Sequence, residues 1–234
     1  MAVELAISNW SGWTTPAHPL VPGSVLHVSD TPDVSAIPAM LRRRLNTLGR
    51  ATAAELLRHT ADIPVVYGSR HGDLERTLSV LSELARGEPV SPMHFSLSVH
   101  NAITGIVSIH RGLTANITSI AAQDECLVPV LLEAAGLVRE TNEQVICVIA
   151  DAPVPALYQR DCTWPAAPFA ASFVVGPGTG LAVTLDRAGD QVAADCTAPK
   201  ESLPQALRFI EFLASSQQTF SASHNGGHWT IAKH

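Results

Sequence analysis

The side chains of this sequence that are capable of chemistry are few and widely separated. Cys126 is followed by Leu127, Val130 and Leu131, a pattern typical of a small buried residue. The alternative is that Cys126 is a nucleophile at the start of a helix, where the helix dipole lowers the pKa of a thiol. The four cysteines form no CxxC pair and show no zinc-like spacing; they are Cys126, Cys147, Cys162 and Cys196.

Histidine is the other residue type that could move protons in this chain. His71 in the segment SRHGD and His100 beside Asn101 are the candidates, although a lone histidine is more often structural. For His100 we expect a neutral imidazole hydrogen-bonded to backbone or to a partner. His224 and His228 in the segment HNGGH lack a third ligand, so a solvated turn is favoured over a metal site. We predict neither a metal site nor a cofactor.

Composition and charge limit the possible partners. The chain has 234 residues, of which 46% are hydrophobic and 15% charged, with a net charge of −6 and a pI near 5.9. This length fits one domain over 1–234 with a substantial core. Basic residues are scattered apart from Arg42, Arg43 and Arg44, so we expect no nucleic-acid binding. These arginines lie inside an apolar helical pattern and are expected on a solvated or partner-facing side.

The remaining elements have to position these residues, and the longest of them lies in 91–132. No charged residue occurs between Ser91 and Ile109, and we predict one long helix there, then a short strand and a second helix. Large apolar residues mark one face of the first helix and small polar residues the other, so we expect it to be packed on both sides. The polar residues argue against a membrane span. The apolar face comprises Phe95, Val99, Ala102, Ile106 and Ile109, and the small face Ser98, Asn101, Gly105 and Ser108.

Strands and helices alternate along the rest of the chain. The almost wholly apolar run 144–151 is suited to a strand covered on both faces. The segment GPGTG is flanked by strands and is predicted to be a tight connection, since a dinucleotide-binding loop would lead into a helix. The first residues lack the basic and long apolar regions of a signal peptide, and we predict a cytoplasmic protein. Together these patterns predict an α/β layered core.

One stretch resembles the β-ketoacyl synthases, condensing enzymes of the thiolase-like fold. The residues that match the family motif in order are Ser91, Pro92, Asn101, Gly105, Ser108, Ile109, Gly112 and Leu113. The resemblance covers 64–150 best and implies a thiolase-like layered fold that retains the N-terminal half. The segment 151–234 is too short for the family's second half, so the C-terminal half is expected to be truncated.

The resemblance also places the family's nucleophile, and this chain lacks a cysteine there. Gln123 stands at that position, or Asp124 if no residue is deleted from the preceding strand. Neither side chain can form the thioester, so acyl transfer to this chain should fail. Two enzyme alternatives stay open: decarboxylation of a malonyl carrier protein with Gln123 as an amide donor, and condensation through Cys126.

A synthase scaffold without its nucleophile resembles the short chain-length-factor subunits that accompany ketosynthases in bacterial aryl polyene pathways. This implies a heterodimer with a full-length β-ketoacyl synthase across the edge of the sheet, and indirect contact with an acyl carrier protein. An unrelated α/β protein that binds a small molecule is a further alternative. The residues expected at the interface and acyl tunnel are Phe95, Ser98, Asn101, Gly105, Ser108, Ile117, Ser119 and Gln123.

Overall fold

The computed structural model describes residues 3–18, 20, 22–122, 125–160, 164–177, 180–189 and 203–234. The strands are β1 (Val3–Thr14), β2 (His27–Val28), β3 (Val65–Gly68), β4 (Ile117–Ile120), β5 (Val145–Asp151), β6 (Phe169–Val175), β7 (Leu181–Gly189), β8 (Thr219–His224) and β9 (Gly227–Lys233). The helices are α1 (Ala39–Arg42), α2 (Thr47–Leu57), α3 (Leu74–Ala85), α4 (Pro92–Ser98), α5 (Ala102–Arg111), α6 (Leu127–Thr141) and α7 (Gln205–Ala214), with one 3₁₀ turn at Ala156–Tyr158.

All the described strands join one mixed sheet. Its order is β4-β3-β5-β6-β1-β7-β9-β8, and the short β2 pairs with the end of β1. The strands β4, β3 and β5 are parallel, whereas β6 and the strands beyond it pair antiparallel. Every residue of β5 and β6 is buried, because helices cover both faces of the sheet at its centre.

Two hydrophobic clusters, one on each face of the sheet, form the core. The helices α6 and α7 cover one face, and the aromatic rings of Phe173 and Phe209 meet there edge to face at 5.5 Å. The helices α2 and α5 cover the other face, where Leu48 and Ile103 pack near Tyr67. The chain therefore has the α/β layered architecture that the alternating pattern predicts.

The prediction of one continuous helix from Ser91 to Ile109 is wrong. The chain forms two helices, α4 and α5, because Val99 takes an extended conformation and Asn101 is the N-cap of the second helix. The packing expected on both sides is also wrong. Phe95, Val99 and Ile109 were assigned to the apolar face of a helix packed on both sides, yet within this chain they are 61%, 46% and 75% exposed. Hydropathy alone could not separate a face that packs within the chain from one that is left open.

The C-terminal hairpin contains a strand that the sequence pattern did not reveal. In β8 only Phe220 and Ala222 point into the core, so its apolar signal is short. The segment HNGGH forms the turn between β8 and β9, with positive φ at Asn225 and Gly226 as a two-residue hairpin loop requires. Within the described residues, no three His, Cys, Asp or Glu side chains are grouped closely enough to hold a metal ion.

The approach of α6 to β3 gives a test of the packing. A Cβ atom at Gly68 would lie 2.5 Å from Val130 Cγ2 and 2.8 Å from Cys126 Cβ. We expect Gly68→Ala to lower the free energy of unfolding by about 1–3 kcal/mol because the core has no room for the methyl group. Gly136→Ala on α6 is the matched control; it faces open space and should stabilise the helix by up to about 1 kcal/mol. Equal effects in urea denaturation would contradict this packing.

Candidate functional site

The carboxyl ends of three parallel strands lie side by side at one end of the sheet. Gly68 of β3 pairs with Ile120 of β4 and with Ile149 of β5, so the loops after these strands lie side by side. The N-terminus of α6 faces the same place, with Cys126 against Gly68. This region, the strand-end site, consists of Ser69, Arg70, Cys126 and Asp151. Gln123 and Asp124, the predicted nucleophile positions, lie outside the described residues.

Asp151 fixes the loop that follows β3. One of its carboxylate oxygens accepts hydrogen bonds from Ser69 Oγ at 2.8 Å and from the backbone N–H of Arg70 at 2.9 Å. Ser69 Oγ in turn accepts from the backbone N–H of Gly72 at 3.0 Å, so a single carboxyl group organises the turn. Burial raises the pKa of Asp151 to about 7, because the charged form is poorly solvated.

The environment of Cys126 is unsuited to a nucleophile. The residue precedes the first turn of α6, where the helix dipole favours a thiolate, but only 1% of it is exposed. Burial raises its pKa to about 12, and the negative charges of Asp151 and Glu125 act in the same direction. The thiol is therefore protonated at neutral pH, which favours the interpretation of Cys126 as a small buried residue.

Glu125, next to this cysteine, has a structural role. Its carboxylate accepts a hydrogen bond from the backbone N–H of Gln205, at the first turn of α7, where a negative charge is favourable. Burial raises the pKa of Glu125 to about 7, and the charge of Asp151 adds to the rise. Two carboxyl groups with raised pKa values thus lie around the start of α6.

His100 joins the break between α4 and α5 to the edge strand. Its Nε2–H donates to the carbonyl oxygen of Ile120 at 3.2 Å, and its ring centroid lies 5.8 Å from that of Tyr67. Burial lowers the pKa of His100, so the neutral imidazole is favoured. This is the structural role expected for it. His71 lies exposed on the loop after β3.

The strand β4 ends the sheet, and its outer side is open. The carbonyl oxygen of Asn116 accepts from Val65 N of β3 at 2.9 Å, and that of Ile120 accepts from Ser69 N, just after β3, at 3.1 Å. Because successive residues of a strand point their hydrogen-bonding groups to opposite sides, the N–H and C=O groups of Ile117 and Ser119 point outward. Ile117 and Ser119 are both among the residues that we predicted from the sequence to lie at the interface.

The other described candidates lie on α4 and α5, beside this strand. Phe95 and Asn101 are exposed, and a Cβ atom at Gly105 would meet no neighbour within 4 Å. Ile117 belongs to the same hydrophobic cluster as Ile103 of α5, and His100, between α4 and α5, contacts Ile120 at the end of β4. We call this region the edge surface; its residues are Phe95, Ser98, Asn101, Gly105, Ser108, Ile117 and Ser119.

The sequence interpretation missed part of the apolar surface near these helices. Val99 and Ile109 were assigned to a packed face but are exposed, and Leu81 and Leu84 of α3 are exposed as well. Only Val80 of α3 is buried. The available signal was the missing charge in 91–109, because an exposed helix without charged residues is typical of a surface that is covered by a partner.

Comparison with known proteins identifies the family. Residues 10–231 match the family model described as β-ketoacyl synthase, N-terminal domain. The chain belongs to the β-ketoacyl synthase N-terminal domain family. The match extends beyond 64–150, the part that the sequence motifs covered best, into the first strand and the C-terminal third. A search of the curated proteins found no match.

Several solved structures share the fold. A chain from the complex of the ketosynthase ApeO with its chain length factor ApeC, from Xenorhabdus doucetiae, superposes with a TM-score of 0.79 at 26% identity, over 98% of this chain and 99% of that chain. A chain of the ishigamide ketosynthase/chain length factor gives 0.67 at 13% identity, over 99% and 98%. A β-ketoacyl synthase from Burkholderia phymatum gives 0.51 at 12% identity, over 82% and 66%. The predicted thiolase-like fold is confirmed.

None of the helices in the described part of the chain combines the length and the apolar character that crossing a membrane requires.

The buried carboxyl group of Asp151 predicts a pH dependence of stability. Its pKa in the folded chain, about 7, lies above the ordinary value of 3.8, so its contribution to stability is present below about pH 4 and is lost as the pH rises through 7. Asp151→Asn removes the ionisable group and keeps an acceptor for Ser69. The free energy of unfolding should fall between about pH 5 and pH 8 in both proteins. We expect the fall to be smaller in the variant than in the wild type, by on the order of 2 kcal/mol.

The measurement is the free energy of unfolding in urea at several pH values. Glu133→Gln, at an exposed position of α6, removes a carboxylate elsewhere and should keep the wild-type pH profile. Glu125 leaves a residual slope of the same sign, because its pKa is raised too. Parallel profiles for Asp151→Asn and the wild type would contradict the assignment.

Proposed function

We propose that this chain is a non-catalytic, chain-length-factor-like subunit that pairs with an active β-ketoacyl carrier-protein synthase. The observation that carries the proposal is the open side of β4, where the hydrogen-bonding groups of Ile117 and Ser119 point outward beside exposed apolar helices. Support comes from the 26% identity, over nearly the whole length, to a chain of a ketosynthase and chain length factor complex.

The edge surface suits a protein partner for two reasons. An unpaired strand edge is a template for another strand, and folded proteins normally cover or interrupt such an edge. The apolar side chains of Phe95, Val99 and Ile109 are exposed near it, and burying such surface drives association. The small residues Gly105 and Ser108 allow a partner backbone to approach closely.

The absence of a usable nucleophile supports a non-catalytic role. The family position for the cysteine is occupied by Gln123 or Asp124, neither of which forms a thioester. Cys126, the nearest thiol in the sequence, is buried and protonated. Condensation through Cys126 is therefore not favoured, and the chemistry is left to the partner subunit.

In this proposal the chain shapes the acyl tunnel of the complex. Side chains of the edge surface, together with Gln123, would limit the length of a growing polyene of the aryl polyene type. The acyl carrier protein would deliver substrate to the partner ketosynthase and contact this chain indirectly. The complex would act in the cytoplasm. In it, this chain would be a single truncated synthase-like domain over 1–234, paired with a full-length synthase.

A proline scan of β4 tests the strand edge directly. Ser119→Pro removes an N–H that points away from β3, so the chain should fold with nearly unchanged stability, as proline is tolerated on the open side of an edge strand. Co-expression with a full-length ketosynthase from the same organism should then give about tenfold less co-purified complex than the wild type, because the outward donor is lost and the ring projects toward the partner.

Thr118→Pro is the matched control, because it places a proline in the same strand at the neighbouring residue. The N–H of Thr118 points toward β3, so this variant should lower the free energy of unfolding of the isolated chain by several kcal/mol. Wild-type recovery of the complex with a folded Ser119→Pro chain would show that pairing does not use this edge. If the wild type itself failed to co-purify with the ketosynthase, the proposed function would be wrong.

A further inference from the structure

The sheet has a second end, formed by β8 of the C-terminal hairpin; within the described residues, no strand lies beyond it. The two-residue loop of the hairpin is closed by a hydrogen-bonded pair, His224 and Gly227, and such pairs alternate along the two strands. Lys233 N donates to Gln218 O at 2.9 Å, in agreement with this alternation. The residues whose N–H and C=O groups point away from β9 are therefore Thr219, Ser221 and Ser223.

This edge lacks the usual protection against the addition of a strand. Folded proteins commonly interrupt an exposed edge with charged side chains or with proline. The sequence of β8, TFSASH, contains neither proline nor any Asp, Glu, Lys or Arg. The side chains of Thr219, Ser221 and Ser223 are small, polar and exposed. An uncharged edge of this kind is a template for another strand unless something else covers it.

The side chain of Gln205 covers part of the edge. Ser223 N donates to Gln205 Oε1 at 2.9 Å, and Gln205 Nε2 donates to Ser223 O at 3.1 Å. These are the two hydrogen bonds that a residue of a neighbouring antiparallel strand would exchange with Ser223. A side-chain amide can supply both, because it carries an acceptor and a donor side by side.

Gln205 is held firmly in this position. It is the first residue of α7 and is only 4% exposed. The carboxylate of Glu125 accepts from its backbone N–H, and its Nε2 also donates to Ser223 Oγ at 3.3 Å. A strand that bound at Ser223 would have to displace the amide and leave it buried without partners, which costs free energy.

We propose that the Gln205 amide occupies the place of a neighbouring strand on β8 and prevents a second copy of this chain from pairing there. Two identical strands pair antiparallel about a two-fold axis. With the axis at Ser221, this residue would face its own copy, and Ser223 would face Thr219 of the other chain. Three residue pairs would then each exchange two hydrogen bonds. The Gln205 amide removes the two outer pairs and leaves only the pair at the axis.

The two ends of the sheet therefore differ in what they offer to another chain. On β4, the outward groups of Ile117 and Ser119 point to an open side, whereas on β8 those of Ser223 are bonded within the chain. Taken together with the proposed function, this difference would direct strand pairing to β4 and limit the chain to one partner. The closure of β8 itself does not rest on the proposed function.

Sedimentation equilibrium of the isolated chain tests the closure. All variants carry Ser119→Pro, which closes β4 and leaves β8 as the edge under test. Gln205→Met keeps the length of the side chain and removes the amide. We expect it to strengthen self-association at least about tenfold, because all three residue pairs become available. Gln217→Met, at an exposed position before β8, is the matched control and should leave self-association unchanged.

A further substitution shows where the two copies pair. Ser221→Pro removes the outward N–H at the axis, and proline is tolerated on the open side of an edge strand. Added to Gln205→Met, it should return self-association to the level of the Ser119→Pro chain. Unchanged self-association of the Gln205→Met chain would overturn the proposal, as would self-association that persists after Ser221→Pro.

Amide hydrogen exchange of the wild-type chain tests the closure without a change at Gln205. The protection factor of the Ser223 amide should exceed that of the Ser221 amide at least about tenfold, although both point away from β9. Equal protection of the two amides would overturn the proposal even if the Gln205→Met chain did not fold. Because no ketosynthase is present in these measurements, a failure of the chain to pair with one would contradict the proposed function alone.

Discussion

The unpaired outer edge of β4 is the constraint on which the rest of the structure depends. Three parallel strands bring their loops together at one end, and the outermost of them has no neighbour within the described chain. Its residues alternate between bonds to β3 and groups that point outward. His100 holds the break between α4 and α5 against the same strand, so the exposed helices adjoin the open edge. A partner that adds a strand would satisfy the backbone and cover the apolar surface at once.

The strand-end site shows how a chain can keep the fold of a synthase without keeping an activated nucleophile. A helix N-terminus favours a thiolate, yet the burial of Cys126 outweighs this effect and raises its pKa to about 12. The nearby carboxyl groups of Asp151 and Glu125 are also buried and hold structure: one organises the loop after β3, and the other binds the first turn of α7. The arrangement stabilises the end of the sheet and leaves no activated nucleophile among the described residues.

Much of the fold could be predicted from the sequence, because strongly apolar or strongly periodic segments leave few alternatives. The run that became β5 was predicted within one residue of its ends, and the second helix predicted in 91–132, after the short strand, is the start of α6. The strand β8 was missed, since only Phe220 and Ala222 carry its apolar signal. The break in the predicted long helix lies at His100, which contacts Ile120, and a local pattern does not contain that contact.

The residue types of the candidate site could be predicted from the sequence, but most of its geometry could not. The motif around Asn101 and Gly105 and the missing cysteine at Gln123 were visible in the sequence. Which side of α4 and α5 stays open could not be predicted, because an apolar side chain such as Ile109 has the same local signal in a core and in an interface. The carboxyl of Asp151 was not singled out either, since its role depends on a loop 81 residues away in sequence.

Amide hydrogen exchange along β4 tests the central claim most directly. In the isolated chain, the amides of Ile117 and Ser119 should exchange quickly, whereas those of Thr118 and Ile120, which point toward β3, should be protected. In a complex with the ketosynthase, exchange at Ile117 and Ser119 should slow by at least about tenfold as the edge becomes paired. A stable complex in which these two amides exchange at unchanged rates would contradict the account.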